Sequence, residues 1–115
     1  MKQMILMRID TDPKMRKGKM IAQGAHASLA ATLEHLGDPR VQEWLAGQFT
    51  KVCVQVTEEE LDEAVTKAFE AGVIFRSITD SGKTEFDGVP TVTCAAIGPD
   101  TPEKLEPITG KLRLL

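Results

Sequence analysis

The sequence predicts an α/β protein, a three-layer α/β/α sandwich with a four-stranded mixed β-sheet. Short apolar or β-branched segments alternate with longer helical ones in the order β-α-α-β-α-β-β-α. The helical segments are long enough to serve as crossovers, so helices can cover both faces of a small sheet. The first strand is apolar almost throughout, and we therefore expect it in the middle of the sheet rather than at an edge.

The first half of the chain predicts one strand and two helices. An apolar run at 3–9 ends at a turn over 10–13, which is typical of a buried strand. A long helix is predicted over about 18–36, with Gly37 as its C-terminal cap. The apolar positions that predict this helix, at steps of three and four residues, are Ile21, Ala22, Ala25, Leu29, Leu33 and Leu36. Asp38 and Pro39 then begin a short helix that continues through Trp44.

The second half predicts three more strands and two more helices. A strand at 50–56 runs into a capping box formed by Thr57 and Glu60, and the helix that follows ends at Gly72. The residues predicted to bury one side of this helix are Leu61, Ala64, Val65, Ala68 and Phe69. Strands at 73–78 and 91–97 are separated by a polar stretch over 79–90, and Thr101 begins a last short helix.

Size and composition indicate one soluble domain, residues 1–115. The chain is 42% hydrophobic and 27% charged, which is ordinary for a domain with one core. Its apolar runs are far shorter than the roughly 20 residues of a membrane helix, so we expect a cytoplasmic protein without a membrane partner. Cys53 and Cys94 lie in β-branched surroundings outside any metal-ligand spacing, and we expect both to be reduced and buried.

Positive charge is concentrated at one place, just before and inside the first turn of the long helix. Lys14, Arg16, Lys17 and Lys19 lie there, in a chain whose net charge is −3. The positive end of a helix dipole repels each cation by about 0.3–1 kcal/mol, whereas a bound anion would reverse the sign. The residues alone support a phosphate site and a solvated basic turn about equally. A nucleotide P-loop is excluded because its glycine position is occupied by Pro13.

Polar residues follow the basic cluster along the helix. Lys19, Gln23 and His26 recur at i, i+4 and i+7, so they share one helix face. The pKa of histidine suits proton transfer, but a lone histidine on a helix is more often a structural residue. His26 and His35 are too far apart for a metal pair, and no serine lies in a nucleophile elbow. We therefore expect chemistry without a metal, a cofactor or a covalent intermediate.

The polar stretch between the last two strands is a second candidate. Asp80 follows a strand end, where α/β sheets commonly present active groups. The segment at 80–82 is also a typical turn, with Gly82 supplying a positive φ. The connection is longer than usual for two short strands, and loops of that length are more often functional.

Four segments, taken in order, resemble the type 2 peptidyl-tRNA hydrolase family over nearly the whole chain. They are KMRKGKMIAQ at 14–23 followed by AHA at 25–27, DSGKT at 80–84, TV at 91–92 with IGP at 97–99, and ITGKLRLL at 108–115. The resemblance implies a mixed four-stranded sheet between helices and a homodimer. It also implies hydrolysis of the ester that joins a peptide to the terminal ribose of tRNA. The chain departs from the family's usual pattern at Pro13, Arg16 and Gly24 and in the linker over 86–90.

The resemblance also implies roles for individual residues. The implicated catalytic residues are Lys19, Gln23, Asp80 and Thr84, with His26 nearby. The residues expected to contact tRNA phosphates are Lys14, Arg16, Lys17 and Lys83. Ester hydrolysis needs a positioned water, a proton acceptor and a group that stabilises the oxyanion. Asp80 suits the orientation of the water, Lys19 the oxyanion or a phosphate, and Thr84 a hydroxyl relay.

Two other classes of function stay open from the sequence. One is a non-catalytic RNA- or protein-binding domain of the same fold, because a fold does not fix a function. The other is a scaffold whose acidic face, at Glu58, Glu59 and Glu60, binds a basic protein. Only the enzyme is expected to lose turnover and keep tRNA binding when Asp80 becomes asparagine.

Overall fold

The computed structural model describes residues 1–83 and 86–115. Its strands are β1 (Lys2–Arg8), β2 (Lys51–Val56), β3 (Phe75–Asp80) and β4 (Thr91–Asp100). Its helices are α1 (Lys17–Glu34), α2 (Pro39–Ala46), α3 (Glu58–Ala71) and α4 (Pro102–Thr109). The predicted order of elements is confirmed. Within these two segments no helix has the length and the apolar character needed to cross a membrane.

The sheet is mixed, with strand order β2-β1-β4-β3. β1 pairs in parallel with β2, where Gln3 lies opposite Lys51, and antiparallel with β4, where Leu6 lies opposite Ala95. β4 also pairs antiparallel with β3. The apolar first strand is therefore in the middle, as predicted. This topology brings the C-terminal ends of β1, β2 and β3 and the start of β4 to the same end of the sheet.

Two cores confirm the three layers. Side chains that alternate along β1 point to opposite faces, as the pleat of a strand requires. Met4 and Leu6 pack with α3 and α4, through residues that include Leu61 and Leu105. Ile5 and Met7 pack on the other face with α1 and α2, through Ala27, Ala31 and Val41.

Helix α1 is present as predicted, but the apolar residues that predicted it face solvent. Ile21 is 74% exposed and Leu29 is 59% exposed. The buried residues of the helix are Gln23, Gly24, Ala27, Ser28, Ala31 and Thr32. A Cβ at position 24 would lie 3.5 Å from side-chain atoms of Ile5 and Met7, so the small residues let α1 approach β1 closely.

The local signals for helix ends are mostly confirmed. The capping box of Thr57 and Glu60 is formed in full, and Gly72 ends α3 with φ of 70°. The predicted end of α1 at Gly37 is wrong, because the helix ends at Glu34 and His35 is its cap. Phe69 was expected in the core and is exposed, packing edge-to-face on Phe75.

The two cysteines differ in their surroundings. Cys94 is buried as expected, and burial raises the pKa of its thiol to about 11. Cys53 is exposed, so the expectation that it is a core residue is wrong. It lies on β2, which is an edge strand of the sheet. An edge strand need not be covered by helices on both faces, so its side chains on one face can stay exposed.

Candidate functional site

The N-terminus of α1 lies at the end of the sheet where β1 and β3 terminate. Met15 is buried in the core on this side, so it anchors the segment while Lys14, Arg16 and Lys17 remain exposed. The structure gives α1 no side-chain cap among the residues it describes, whereas Asp38, Thr57 and Thr101 cap the other three helices. The first N–H groups of α1 therefore have no side-chain cap among the described residues and lie next to cations, which favours a bound anion.

Lys19 and Asp80 form the centre of the candidate site. The Lys19 ammonium donates to the Oδ1 of Asp80 at 2.8 Å, across 61 residues of sequence. The side chains are only 17% and 14% exposed, so water screens the pair less than it would a surface ion pair. The hydrogen bond from Lys19 is the main cause that holds the pKa of Asp80 below its ordinary value of 3.8. Asp80 is therefore a carboxylate at neutral pH and a weak base.

The turn after β3 fixes the second oxygen of Asp80. The backbone N–H of Gly82 donates to Oδ2 at 3.0 Å. Gly82 has φ of 79°, and a Cβ there would lie 2.2 Å from the carbonyl oxygen of Val89, so only glycine fits. The buried ring of Phe86 anchors the returning loop in the core beneath α1. The carboxylate is held from two sides and has a defined orientation.

Gln23 lies one turn after Lys19 and is buried against the sheet. The hydroxyl of Thr93 donates to its Oε1, and the thiol of Cys94 donates to its backbone oxygen at 3.3 Å. Thr93 is the residue that the register of β3 and β4 skips, since Ile78 lies opposite Cys94 and Thr79 opposite Val92. Such bulges redirect side chains beside active sites.

Sequence reasoning missed Thr93. The sequence signal for Thr93 was a polar residue within the mostly apolar strand predicted at 91–97. In the structure Thr93 is fully buried. Buried polar side chains are hydrogen-bonded, so a partner was to be expected, but the sequence does not say which.

Arg8 is a second residue that the sequence did not single out. Its side chain is 9% exposed at the end of β1 and pairs with Asp10 at 3.0 Å and with Glu58 at 3.3 Å. It also donates to the backbone oxygen of Val92. Burial raises the pKa of Asp10, but hydrogen bonds from the Glu58 N–H and from Arg8 outweigh it and lower the pKa overall. Arg8 thus links β1, α3 and β4 at the end of the sheet where the site lies.

The other predicted site residues are not all brought together. His26 is exposed, and within residues 1–83 and 86–115 no hydrogen bond joins it to Lys19, Gln23 or Asp80. Lys83 is exposed in the turn beyond Asp80. Thr84 lies outside the described residues. The described part of the chain contains no group of three His, Cys, Asp or Glu side chains able to hold a metal ion.

The arrangement places a cation, a carboxylate and an amide along one turn of helix and the end of one strand. Lys19 can stabilise negative charge that develops on an oxygen, and Asp80 can orient a water molecule. The exposed N-terminus of α1 with its flanking cations can hold a phosphate. Groups of these kinds can support the hydrolysis of an ester next to a phosphate.

Comparison with known proteins agrees with this chemistry. The family model described as "Peptidyl-tRNA hydrolase PTH2" matches residues 1–115. The chain is 42% identical over 118 residues to a peptidyl-tRNA hydrolase of Methanocaldococcus jannaschii, covering 100% of both chains. It is 39% identical over 116 residues to a peptidyl-tRNA hydrolase of Methanothermobacter thermautotrophicus, again covering 100% of both.

A solved structure supports the fold alone. A protein of unknown function from Agrobacterium tumefaciens aligns with a TM-score of 0.67 at 12% identity, covering 99% of this chain and 96% of that one. The family model and the archaeal relatives extend over the full length and include both segments of the site, 14–23 and 80–84. This chain belongs to the peptidyl-tRNA hydrolase PTH2 family.

Proposed function

We propose that this protein hydrolyses the ester between a peptide and tRNA, and that the Lys19–Asp80 pair is the centre of its active site. The observation that carries the proposal is the 2.8 Å contact between these side chains at the uncapped N-terminus of α1. It occurs in a chain that matches the family over residues 1–115. The products are a peptide with a free carboxylate and a free tRNA that translation can use again.

Each side chain has one role in the proposal. Asp80 orients the attacking water, because its low pKa makes it a poor acceptor of the first proton. Lys19 stabilises the oxyanion of the tetrahedral intermediate. Gln23, held through its Oε1, positions the ester carbonyl or the water with its amide nitrogen. Thr84 supplies a hydroxyl relay. His26 is kept as a nearby catalytic residue because the family resemblance implies it.

The basic cluster binds the tRNA backbone in this proposal. Lys14, Arg16, Lys17 and Lys83 are exposed around the site and contact phosphates. Phosphate contacts give affinity without reading base sequence, so one surface accepts many tRNAs. Of the acidic residues at the start of α3, Glu58 is paired with Arg8 and Glu60 accepts from the N–H of Thr57 in the capping box.

We also propose that the protein is a homodimer that pairs through the exposed apolar side of α1. Ile21, Leu29 and Leu33 are more than half exposed along this helix. Beside them, α1 and α2 border a groove of about 390 Å³ whose lining includes Leu45 and Phe49. Exposed apolar side chains beside an apolar groove are typical of interaction sites, and one helix face can pair with itself about a two-fold axis.

The remaining parts of the proposal follow from the substrate and the sequence. Residues 1–115 act as one domain, without a metal or another cofactor. Because peptidyl-tRNA is a product of translation, we place the protein in the cytoplasm. A non-catalytic RNA- or protein-binding role is not favoured, since the relatives are named hydrolases. A scaffold role for the acidic face is weakened because two of its three glutamates already have partners.

The direct test is release of N-acetylated amino acid from N-acetyl-aminoacyl-tRNA by the purified protein. We expect release with multiple turnovers and an unchanged rate after treatment with EDTA. Bound tRNA without release would favour the binding module. A rate that EDTA abolishes and an added divalent cation restores would contradict the metal-independent mechanism.

A further inference from the structure

Arg8 is a buried cation whose three side-chain nitrogens all have partners. Its Nε donates to Asp10 at 3.0 Å, and its Nη2 lies 3.3 Å from a carboxylate oxygen of Glu58. Its Nη1 donates to the backbone oxygen of Val92 at 3.0 Å. The side chain of Arg8 is 9% exposed, whereas those of Asp10 and Glu58 are 39% and 65% exposed. The two carboxylates hold the planar guanidinium in place, and its Nη1 is directed at β4.

The carbonyl that accepts from Arg8 lies next to the bulge in β4. The described pairs between β1 and β4 end at Met7 and Cys94, so Val92 lies two residues beyond the last pair. Thr93, which the register of β3 and β4 skips, lies between these two points. On the side of β4 that faces β1, the backbone is therefore held at Cys94 by the sheet and at Val92 by the Arg8 side chain.

The bulged residue reaches the candidate site through Gln23. The hydroxyl of Thr93 donates to the Oε1 of Gln23, and both side chains are buried. A bulge leaves one residue out of the ladder and sets the direction of its side chain. A donor that holds the backbone beside the bulge therefore influences where the hydroxyl of Thr93 points, and with it the amide of Gln23.

We propose that Arg8 is a positioning residue for the hydrolysis: through the carbonyl of Val92 it holds the bulge that aims Thr93 at Gln23. This role rests on the proposed function, because it is defined by what Gln23 does to the substrate. Arg8 is buried, so in this role it does not contact tRNA, unlike the exposed basic cluster. Its loss is therefore expected to slow the chemical step and to leave tRNA affinity unchanged.

A double-mutant cycle between Arg8 and Thr93 tests this role. The measured quantity is the single-turnover rate constant for release of the acyl group from N-acetyl-aminoacyl-tRNA at saturating protein. We expect Arg8→Met alone to lower this rate constant about fivefold and to keep the Kd for tRNA within about twofold of the wild type. When Thr93→Val has already removed the hydroxyl, we expect Arg8→Met to change the rate constant by less than about twofold.

Two further variants separate the contact with Val92 from the ion pairs. Glu58→Gln is the matched control: it removes one ion pair of Arg8, leaves the donor to Val92 and is expected to stay within about twofold of the wild-type rate constant. Arg8→Lys keeps a positive charge near the two exposed carboxylates, which supports the fold if Arg8→Met does not persist. One ammonium cannot keep all three contacts of the guanidinium, so we expect the same outcome of the cycle for Arg8→Lys. Thermal unfolding is measured for every variant.

The outcomes separate the role of Arg8 from the proposed function. If the wild type releases the acyl group and the losses of Arg8→Met and Thr93→Val multiply in the double variant, Arg8 does not act through Thr93 and the proposal is overturned. An unchanged rate constant in the folded Arg8 variants, or a fall of the same size in Glu58→Gln, would also overturn it. If the wild type releases nothing, the proposed hydrolase activity itself fails, and the role of Arg8 fails with it.

Discussion

The hydroxyl of Thr93 donates to the side-chain oxygen of Gln23, and both side chains are buried between α1 and β4. Because the amide oxygen is held against the sheet, the amide nitrogen is the group left for a substrate. The bulge between β3 and β4 makes the contact possible, since it directs Thr93 towards the helix.

Replacing Thr93 tests whether this contact positions Gln23. Thr93→Val removes the donor and keeps the side-chain shape, and we expect kcat to fall roughly tenfold, the effect of about 1–2 kcal/mol from a lost buried hydrogen bond. Thr93→Ser keeps the hydroxyl and is expected to retain most of the activity. Thermal unfolding of both variants is the control for stability. Equal loss of activity in the serine and valine variants would show that packing, not the hydrogen bond, matters.

The pKa of Asp80 is a second measurable consequence of the site. Its hydrogen bond from Lys19 lowers the pKa in the folded state, so the carboxylate contributes stability above its ordinary pKa of 3.8. That contribution is lost as the pH falls through the lower folded value. A carboxyl NMR titration is expected to give a midpoint below 3.8 for the wild type and a higher one for Lys19→Gln. A wild-type midpoint at or above 3.8 would contradict the ion pair.

The proposed dimer makes a prediction about mass in solution. Sedimentation equilibrium is expected to give twice the chain mass of 12.6 kDa for the wild type. Leu29→Glu places a charge on the exposed apolar side of α1 and is expected to give a monomer that is still folded. Leu114→Glu, at a leucine in the C-terminal tail that is 70% exposed, is the control and remains dimeric. A monomeric wild type, or a dimer in Leu29→Glu, would refute this interface.

Arg16 tests the role of the basic cluster. Each phosphate contact releases counterions, so log Kd for tRNA depends on log salt with a slope set by the number of contacts. Arg16→Gln is expected to weaken tRNA binding and to lower the absolute slope by about 1. Arg113→Gln, also exposed but in the C-terminal tail, serves as the control. The same slope in Arg16→Gln and the wild type would remove Arg16 from the tRNA-binding surface.

Helix α1 shows how far sequence reasoning reached and where it stopped. Its periodicity predicted a helix correctly, but periodicity does not say which side of a helix is buried when both sides are apolar or small. The sheet takes the side with Gly24 and Ala27 because small residues permit close packing, and Ile21 and Leu29 are left outside. Tertiary packing, which the sequence pattern does not encode, decided the orientation.

The candidate site was likewise predicted only in part from the sequence. The dipole conflict at the start of α1 and the family resemblance identified Lys19 and Asp80 from sequence, and the structure brings them together across 61 residues. Thr93 was missed because its role depends on a bulge in strand register, which no local pattern predicts. Arg8 was missed because it lies inside an apolar run and because two of its partners, Val92 on β4 and Glu58 on α3, are distant in sequence.

In the proposed function Lys19 and Asp80 form the active site of a hydrolase. The decisive experiment measures single-turnover release of the acyl group from N-acetyl-aminoacyl-tRNA and, separately, tRNA affinity, for the wild type, Lys19→Ala and Asp80→Asn. We expect release by the wild type and a fall of at least about a hundredfold in both variants, because each removes a group that acts on the transition state. We expect Asp80→Asn to bind tRNA as tightly as the wild type. Release at the wild-type rate by either variant would show that Lys19 and Asp80 are not the active site.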